Sequence, residues 1–165
     1  MKPFKRKSRY LVSGVALAAL FGAAASADEQ QLAGTWNCNL MFEDPNIGAT
    51  MTGQFEQTYK QDGSYERAGQ MRIVVAAFDV DAAFTVAEAG DWRSDGVVIT
   101  EMRSKLEFAT VDPDPSPAAQ LVVQQMQAEA NAETVAEESV EITKLTATQL
   151  EFEDPDGAAA VCRKA

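Results

Sequence analysis

The sequence predicts an all-β fold with one helix, in which about eight antiparallel strands form an up-and-down barrel whose first and last strands are joined by a disulfide. Three observations lead to this prediction. Apolar and polar residues alternate with a period of two over most of positions 34–108, which is typical of strands with one buried face. Asp-Gly turn signals separate the alternating segments. One proline-rich break, followed by helical spacing, interrupts the succession of strands.

The first 27 residues resemble a secretory signal peptide. Five basic residues and no acid precede Tyr10, the apolar run Leu11–Ala24 follows, and Ala25-Ser26-Ala27 offers a cleavage site. The run has about 14 residues, fewer than the roughly 20 that cross a bilayer, so we expect cleavage and no stable membrane span afterwards. The mature protein is predicted to begin at Asp28, to form a single domain over residues 28–165, and to be periplasmic or secreted.

The predicted mature chain is strongly acidic and lacks histidine. All 25 acidic residues lie beyond Ala27 but only nine of the 14 basic residues do, which gives a net charge of −16. A negative field of this size disfavours nucleic acid as a partner. The absence of histidine excludes the Ser-His-Asp and Cys-His arrangements of hydrolases and the zinc sites that need histidine. We therefore expect a protein that is not an enzyme.

Two cysteines, Cys38 and Cys162, lie near the two ends of the mature chain. In a chain exported to an oxidising compartment they are expected to form a disulfide. Two free thiols are the alternative. The disulfide would fasten the last strand to the first.

Three strands are predicted between Gly34 and Val75. The first begins at Gly34, the second covers Met51–Lys60, and the turn Gln61–Ser64 leads to the third, Tyr65–Val75. The residues predicted to face inward are Trp36, Cys38, Leu40, Phe42, Met51, Gly53, Phe55, Tyr59, Tyr65, Arg67, Gly69, Met71, Ile73 and Val75.

Two further strands precede the helix. A link over Ala76–Ala82 leads to a fourth strand that ends near Arg93, and the turn Ser94–Gly96 leads to a fifth over Val97–Val111. The residues predicted to face inward are Phe84, Val86, Glu88, Gly90, Trp92, Val98, Thr100, Met102, Ser104, Leu106 and Phe108. Arg67 and Glu88 are thus expected on one face of adjacent strands, where they would orient a polar ligand group. The alternatives are that both lie in water near a barrel mouth or that a bulge shifts the alternation.

A helix is predicted after Asp112–Pro117, with Ser116 as N-cap and Pro117 as the first helical residue. Its packed face is predicted from helical spacing to contain Ala118, Leu121, Val122, Met126 and Ala130. Glu133, Glu137 and Glu138 oppose the helix dipole and predict fraying or a second short helix from Ala132. Three short strands follow, over Ser139–Thr146, Gln149–Glu153 and Ala158–Arg163. A β-sandwich is the main alternative to the barrel.

The segment Leu32-Ala33-Gly34-Thr35-Trp36 resembles the opening of lipocalin-like (calycin) barrels. The later order of Gly90-Asp91-Trp92, Asp156-Gly157 and Val161-Cys162-Arg163 is similar to that of bacterial exported lipocalin-like domains, and the likeness covers essentially the whole mature chain. The helix differs, since in that family it typically follows the last strand. The resemblance implies that Trp36, after the motif's Gly34, plugs the closed end and that Arg163 packs over it by a cation–π contact.

The resemblance also implies a function, namely binding of a small apolar or amphipathic molecule in the barrel interior. The alternative is a protein-facing role, as a periplasmic protease inhibitor or structural accessory factor. Candidate ligand-binding residues are Phe55, Tyr65, Arg67, Met71, Phe84, Glu88 and Met102; for the apolar and aromatic ones the alternative is packing in the core.

No metal or cofactor is expected. The acid pairs at positions 79 and 81, 112 and 114, and 154 and 156 lack the spacing of a calcium-binding EF-hand loop and are interpreted as turn residues. The chain has neither a phosphate-binding glycine-rich loop nor a dinucleotide-binding fingerprint.

Overall fold

The computed structural model describes residues 27–46, 48–132 and 136–165. Within them, eight antiparallel strands form one closed barrel in chain order, so the predicted fold class is confirmed and the sandwich is excluded. The strands are β1 (Gly34–Asp44), β2 (Ala49–Tyr59), β3 (Ser64–Val75), β4 (Val80–Ser94), β5 (Val98–Thr110), β6 (Ala136–Leu145), β7 (Gln149–Glu153) and β8 (Ala159–Lys164). The helices are α1 (Ala27–Leu32), before β1, and α2 (Pro117–Ala132), between β5 and β6 as predicted; one turn of 3₁₀ helix (Ala76–Phe78) links β3 to β4.

The barrel closes where β1 pairs with β8. Cys38 lies directly opposite Cys162 in this ladder, and the two form the predicted disulfide. Since β1 also pairs with β2 along its full length, neither side of β1 is left as an open edge. The disulfide therefore links the two ends of the sheet at the point of closure.

The end of the barrel near α1 is filled by the main hydrophobic core. Trp36 is fully buried there, and its indole Nε1 donates a 2.7 Å hydrogen bond to the carbonyl oxygen of Leu32, the last residue of α1. The start of the predicted mature chain is therefore a short helix that closes this end. The largest members of the core are Trp36, Tyr59, Tyr65, Trp92, Phe55 and Phe152.

The cation over Trp36 is Lys164, and the prediction of Arg163 is wrong. The Lys164 ammonium lies 4.6 Å from the centre of the Trp36 ring and donates to the carbonyl oxygens of Gln31 and Ala33. Lys164 is opposite Trp36 in the ladder, whereas Arg163 is exposed on the outer surface. The physical reason is strand alternation: because Cys162 faces inward, the next residue faces outward and the one after it faces inward again.

The predicted inward face of β5 is wrong for the first half of the strand. Ile99 and Glu101 are the buried residues there, whereas Met102 is only partly buried and pairs with the exposed Asp91. The pairing with β4 skips Ser104, which forms a bulge. A bulge reverses the alternation, so the inward prediction holds only beyond it, for Leu106 and Phe108.

Helix α2 packs on β4 and β5, but its packed face is shifted from the one predicted, since the predicted residues Ala118, Val122, Met126 and Ala130 are only partly buried. Ser116 caps the helix, because its hydroxyl oxygen accepts a 3.2 Å hydrogen bond from the backbone N–H of Ala119. Ala119 and Val123 are the buried residues, and Leu121, predicted to pack, is 64% exposed. The second short helix proposed from Ala132 falls partly on residues 133–135, which lie outside the described residues, and residues 137 and 138 belong to β6.

The packed face of α2 includes Gln127, because this side chain covers an unpaired edge of β5. Pairing between β5 and β6 runs only as far as Arg103. Beyond that point the Gln127 carboxamide accepts a 2.7 Å hydrogen bond from the Phe108 N–H and donates a 3.3 Å hydrogen bond to the Leu106 carbonyl oxygen. An amide side chain can satisfy a donor and an acceptor together, as a neighbouring strand would.

Candidate functional site

A network of polar side chains lies inside the barrel, on the inward faces of four neighbouring strands. Arg67 of β3 is its centre: Nε donates to Oε1 of Gln57 (2.9 Å), Nη1 to Oε2 of Glu88 (3.1 Å) and Nη2 to Oε2 of Glu101 (2.8 Å). The guanidinium also lies 5.2 Å from the centre of the Phe55 ring. The predicted meeting of Arg67 and Glu88 is therefore confirmed.

The pair lies away from water, contrary to the alternative that placed it at a barrel mouth. Glu88 is 7% exposed and the Arg67 side chain 14%. The register explains the contact, because Arg67 lies directly opposite Gln57 on one side and Glu88 on the other. Three inward side chains in one row across β2, β3 and β4 thus meet without any change in the alternation.

The remaining oxygens of the two carboxylates are also hydrogen-bonded. Oε1 of Glu101 accepts from Gln57 Nε2 (2.5 Å) and from the Tyr59 hydroxyl (2.6 Å), and Oε1 of Glu88 accepts from the Tyr65 hydroxyl. Among the described residues, no buried side-chain nitrogen or oxygen lacks a partner. Buried polar groups of this kind are tolerated because every donor and acceptor is satisfied.

Sequence reasoning missed Gln57 and Glu101. The signal for Gln57 was present, because this residue lies between Phe55 and Tyr59 in the same inward alternation. Glu101 gave no such signal, since its inward position follows from the bulge at Ser104.

The three titrating donors of the network keep their protons. Burial raises the pKa of Tyr59 well above its usual value, and the negative charge of Glu101 raises it further. The pKa of Tyr65 is raised by burial and then by Glu88 and Glu101. Burial alone lowers the pKa of Arg67, but the charges of Glu101 and Glu88 outweigh it and the pKa is raised. The network therefore holds neutral phenols and a permanent cation.

We expect Tyr59 and Tyr65 to resist ionisation while the protein is folded. In the chain that begins at Asp28 they are the only tyrosines. Their folded-state pKa lies above the unfolded value of about 10, so above that pH the unfolded chain binds fewer protons and stability falls as pH rises. Absorbance at 295 nm in an alkaline titration should rise only together with the loss of far-ultraviolet circular dichroism. Tyrosinate forming at about pH 10 in a protein that stays folded would contradict this prediction.

A cavity of about 490 Å³ opens next to this network. It lies beside the turn between β7 and β8, at the end of the barrel opposite α1. Its apolar walls consist of Leu40, Phe55, Met71, Val140, Phe152 and Ala158. Arg67 and Glu101 form its polar floor, and Glu137, Glu138, Asp154 and Asp156 lie around it. The arrangement combines apolar surface with a few fixed polar groups, which is typical of small-molecule sites.

The predicted ligand-binding residues lie in four different surroundings. Phe55, Arg67 and Met71 line the cavity. Tyr65 and Glu88 belong to the hydrogen-bonded network. Phe84 is fully buried and packs edge-on against the Phe108 ring at a centroid distance of 5.7 Å. Met102 does not line this cavity. The bulge at Ser104 turns Glu101 to the inner face of β5, and the adjacent Met102 therefore lies on the outer face.

A second, wider groove of about 1110 Å³ lies where α2 meets β4 and β5. Exposed residues of β3 and β5, such as Gln70, Lys105 and Glu107, form much of its lining. It is therefore largely a surface groove, and it is a poorer candidate for enclosing a small molecule.

The acid pairs are engaged within turns and a surface ion pair. Asp154 Oδ1 accepts from the backbone N–H groups of Asp156 and Ala158, and Asp112 Oδ1 accepts from that of Asp114. Asp81 forms an exposed ion pair with Arg72. In the part of the chain that the structure describes, no group of three or more Asp, Glu or Cys side chains is arranged to hold a metal ion.

No known family model and no curated protein sequence matches the chain. The closed eight-stranded antiparallel barrel is consistent with a lipocalin-like fold.

None of the helices in the described ranges is long and apolar enough to span a membrane. The disulfide is consistent with a periplasmic or extracellular location.

Proposed function

We propose that this protein is an exported, lipocalin-like binding protein that is not an enzyme and that holds a small amphipathic molecule in the barrel cavity. The cavity carries the proposal. Its volume of about 490 Å³ falls within the range of about 300–1,000 Å³ that is common for small-molecule sites. Its apolar walls come from several strands, and its floor consists of the fixed polar side chains of Arg67 and Glu101. A ligand with an apolar body and one polar end matches both surfaces.

The network beneath the cavity supports binding because it is organised before a ligand arrives. Arg67 is held by three side chains and Glu101 by three donors. Fixed polar groups reduce the side-chain ordering that binding would otherwise require. The apolar walls supply affinity at about 0.8 kcal/mol for each CH₂ group removed from water.

Export is the second part of the proposal, and three features support it. The first 27 residues have the pattern of a signal peptide. The disulfide between Cys38 and Cys162 suits an oxidising compartment. The remaining chain has a net charge of −16, which favours solubility in such a compartment.

The proposal is tested by filling the cavity. We expect the wild-type protein to bind the neutral fluorescent probe 1-N-phenylnaphthylamine at one site, and Ala158→Phe, which adds a ring at the cavity wall, to weaken binding at least tenfold. Ala159→Phe is the matched control, because Ala159 is exposed on the outside of the barrel, and it should bind like the wild type.

Native mass spectrometry of protein purified from its own host provides an independent measurement. A retained small molecule would support the proposal. An empty barrel that does not bind the probe and co-purifies with another protein would contradict it and favour the protein-facing role.

A further inference from the structure

The charge balance of the cavity indicates what kind of amphiphile it selects. We infer that the cavity takes a cationic amphiphile, an apolar chain that ends in an amine or quaternary ammonium group. This inference rests on the proposed function and narrows it to one class of ligand. It is argued from the groups that line the cavity, beginning with its one cation.

The positive charge of Arg67 is already balanced by two protein carboxylates, Glu88 and Glu101. Among the described residues that line the cavity it is the only lysine or arginine. Its Nε, Nη1 and Nη2 atoms already donate to Gln57, Glu88 and Glu101. A ligand carboxylate at the two remaining N–H groups would bring a third negative charge to a guanidinium whose single positive charge is already shared by Glu88 and Glu101, and this repulsion disfavours an anionic head group.

The other charges around the cavity are negative. Glu101 lies on its floor, and four more carboxylates come from β6 and the turn between β7 and β8: Glu137, Glu138, Asp154 and Asp156. Two of them have arginine partners, since Glu138 pairs with Arg103 at 2.6 Å and Glu137 lies 3.7 Å from the exposed Arg93. Within the described ranges, the Asp154 side chain accepts hydrogen bonds only from backbone N–H groups. Counting all three arginines, the local charge remains negative, and it attracts a cation and repels an anion.

The apolar walls indicate that the rest of the ligand is an apolar chain. Leu40, Met71, Val140 and Phe152 lie beside these carboxylates in the same cavity. A metal ion or a wholly polar cation would leave that apolar surface in contact with water, whereas an alkyl chain would cover it. A positive head group close to the carboxylates and an apolar tail against the walls satisfy both surfaces at once.

Three probes that share a decyl chain test the inference: decyltrimethylammonium, decanol and decanoate. Each is measured by displacement of 1-N-phenylnaphthylamine, below the concentration at which it forms micelles. We expect decyltrimethylammonium to bind at least tenfold more tightly than decanol and decanoate to bind most weakly. The preference for the cation should shrink as salt is raised, because salt screens the partly exposed carboxylates.

A pair of double variants locates the effect. Glu138→Gln with Asp156→Asn should weaken the binding of decyltrimethylammonium at least tenfold and leave the binding of decanol unchanged. The control, Glu43→Gln with Glu56→Gln, removes the same charge from exposed outer positions of β1 and β2 and should change neither. Equal affinity for the three probes, or tighter binding of decanoate, would overturn the inference but leave the proposed function intact. Failure of all three compounds to displace 1-N-phenylnaphthylamine would also overturn the inference, whereas failure of 1-N-phenylnaphthylamine itself to bind would overturn the proposed function.

Discussion

Arg67→Met is expected to lower the free energy of unfolding by about 3 to 5 kcal/mol. Methionine keeps much of the length of the side chain but removes the three donors to Gln57, Glu88 and Glu101. Two buried carboxylates then remain in the barrel without a cation, and this uncompensated charge is the source of the loss. Urea unfolding followed by fluorescence measures it directly, because Trp36 and Trp92 are both buried in the folded protein.

Arg72→Met is the matched control on the same strand. Arg72 pairs with Asp81, but both side chains are more than half exposed, so this substitution should change stability by less than about 1 kcal/mol. A triple variant, Arg67→Met with Glu88→Gln and Glu101→Gln, should recover part of the loss because it removes the unpaired charges. If Arg67→Met were as stable as Arg72→Met, the network could not be the buried, coupled structure described above.

The network also shows how far the sequence could predict the site. In β2, β3 and β4 the inward face continues without interruption through Phe55, Arg67 and Glu88. The turn at Asp62-Gly63 fixes the register of β2 against β3, so period-two alternation was enough to place Arg67 and Glu88 together. The local pattern and the structure agree here because the pairing of β2 with β3 and of β3 with β4 contains no bulge.

Glu101 could not be predicted in the same way. Val98, Thr100 and Met102 form the less polar of the two alternating sets before Ser104, and the other set contains Glu101 and Arg103. Hydrophobicity therefore favours the wrong face. The cost of burying Glu101 is offset by Arg67, Gln57 and Tyr59, which come from other strands. A slip of one residue reverses every side chain of a strand, and no local signal marks the bulge that causes it.

Which face of α2 packs against the barrel also depends on tertiary structure. Leu121 fits the helical spacing of apolar residues, and Gln127 does not. The structure exposes the first and uses the second because pairing between β5 and β6 ends at Arg103 and leaves Leu106 and Phe108 with backbone groups to satisfy. Where a strand loses its neighbour is a property of the whole sheet, so the helix sequence alone could not indicate it.

Loss of the disulfide is expected to lower the free energy of unfolding by about 4 to 5 kcal/mol. Cys38 and Cys162 are 124 positions apart, so the bond restricts almost the entire unfolded barrel chain, and the chain-entropy account assigns a larger effect to a longer loop. The bond also holds the six-residue strand β8 against β1. Urea unfolding of the oxidised protein, the reduced protein and Cys38→Ala with Cys162→Ala measures the effect.

Comparison of these three samples separates the cross-link from the packing of the sulfur atoms. Both cysteines are buried, so the double alanine variant also loses apolar contacts and should be less stable than the reduced protein. Reduction leaves the cysteine side chains in place, and it should account for most of the decrease in the free energy of unfolding. Unfolding midpoints that do not change on reduction would contradict the prediction. Alkylation of two cysteines under denaturing, non-reducing conditions would show that the bond at the closure of β1 and β8 does not form.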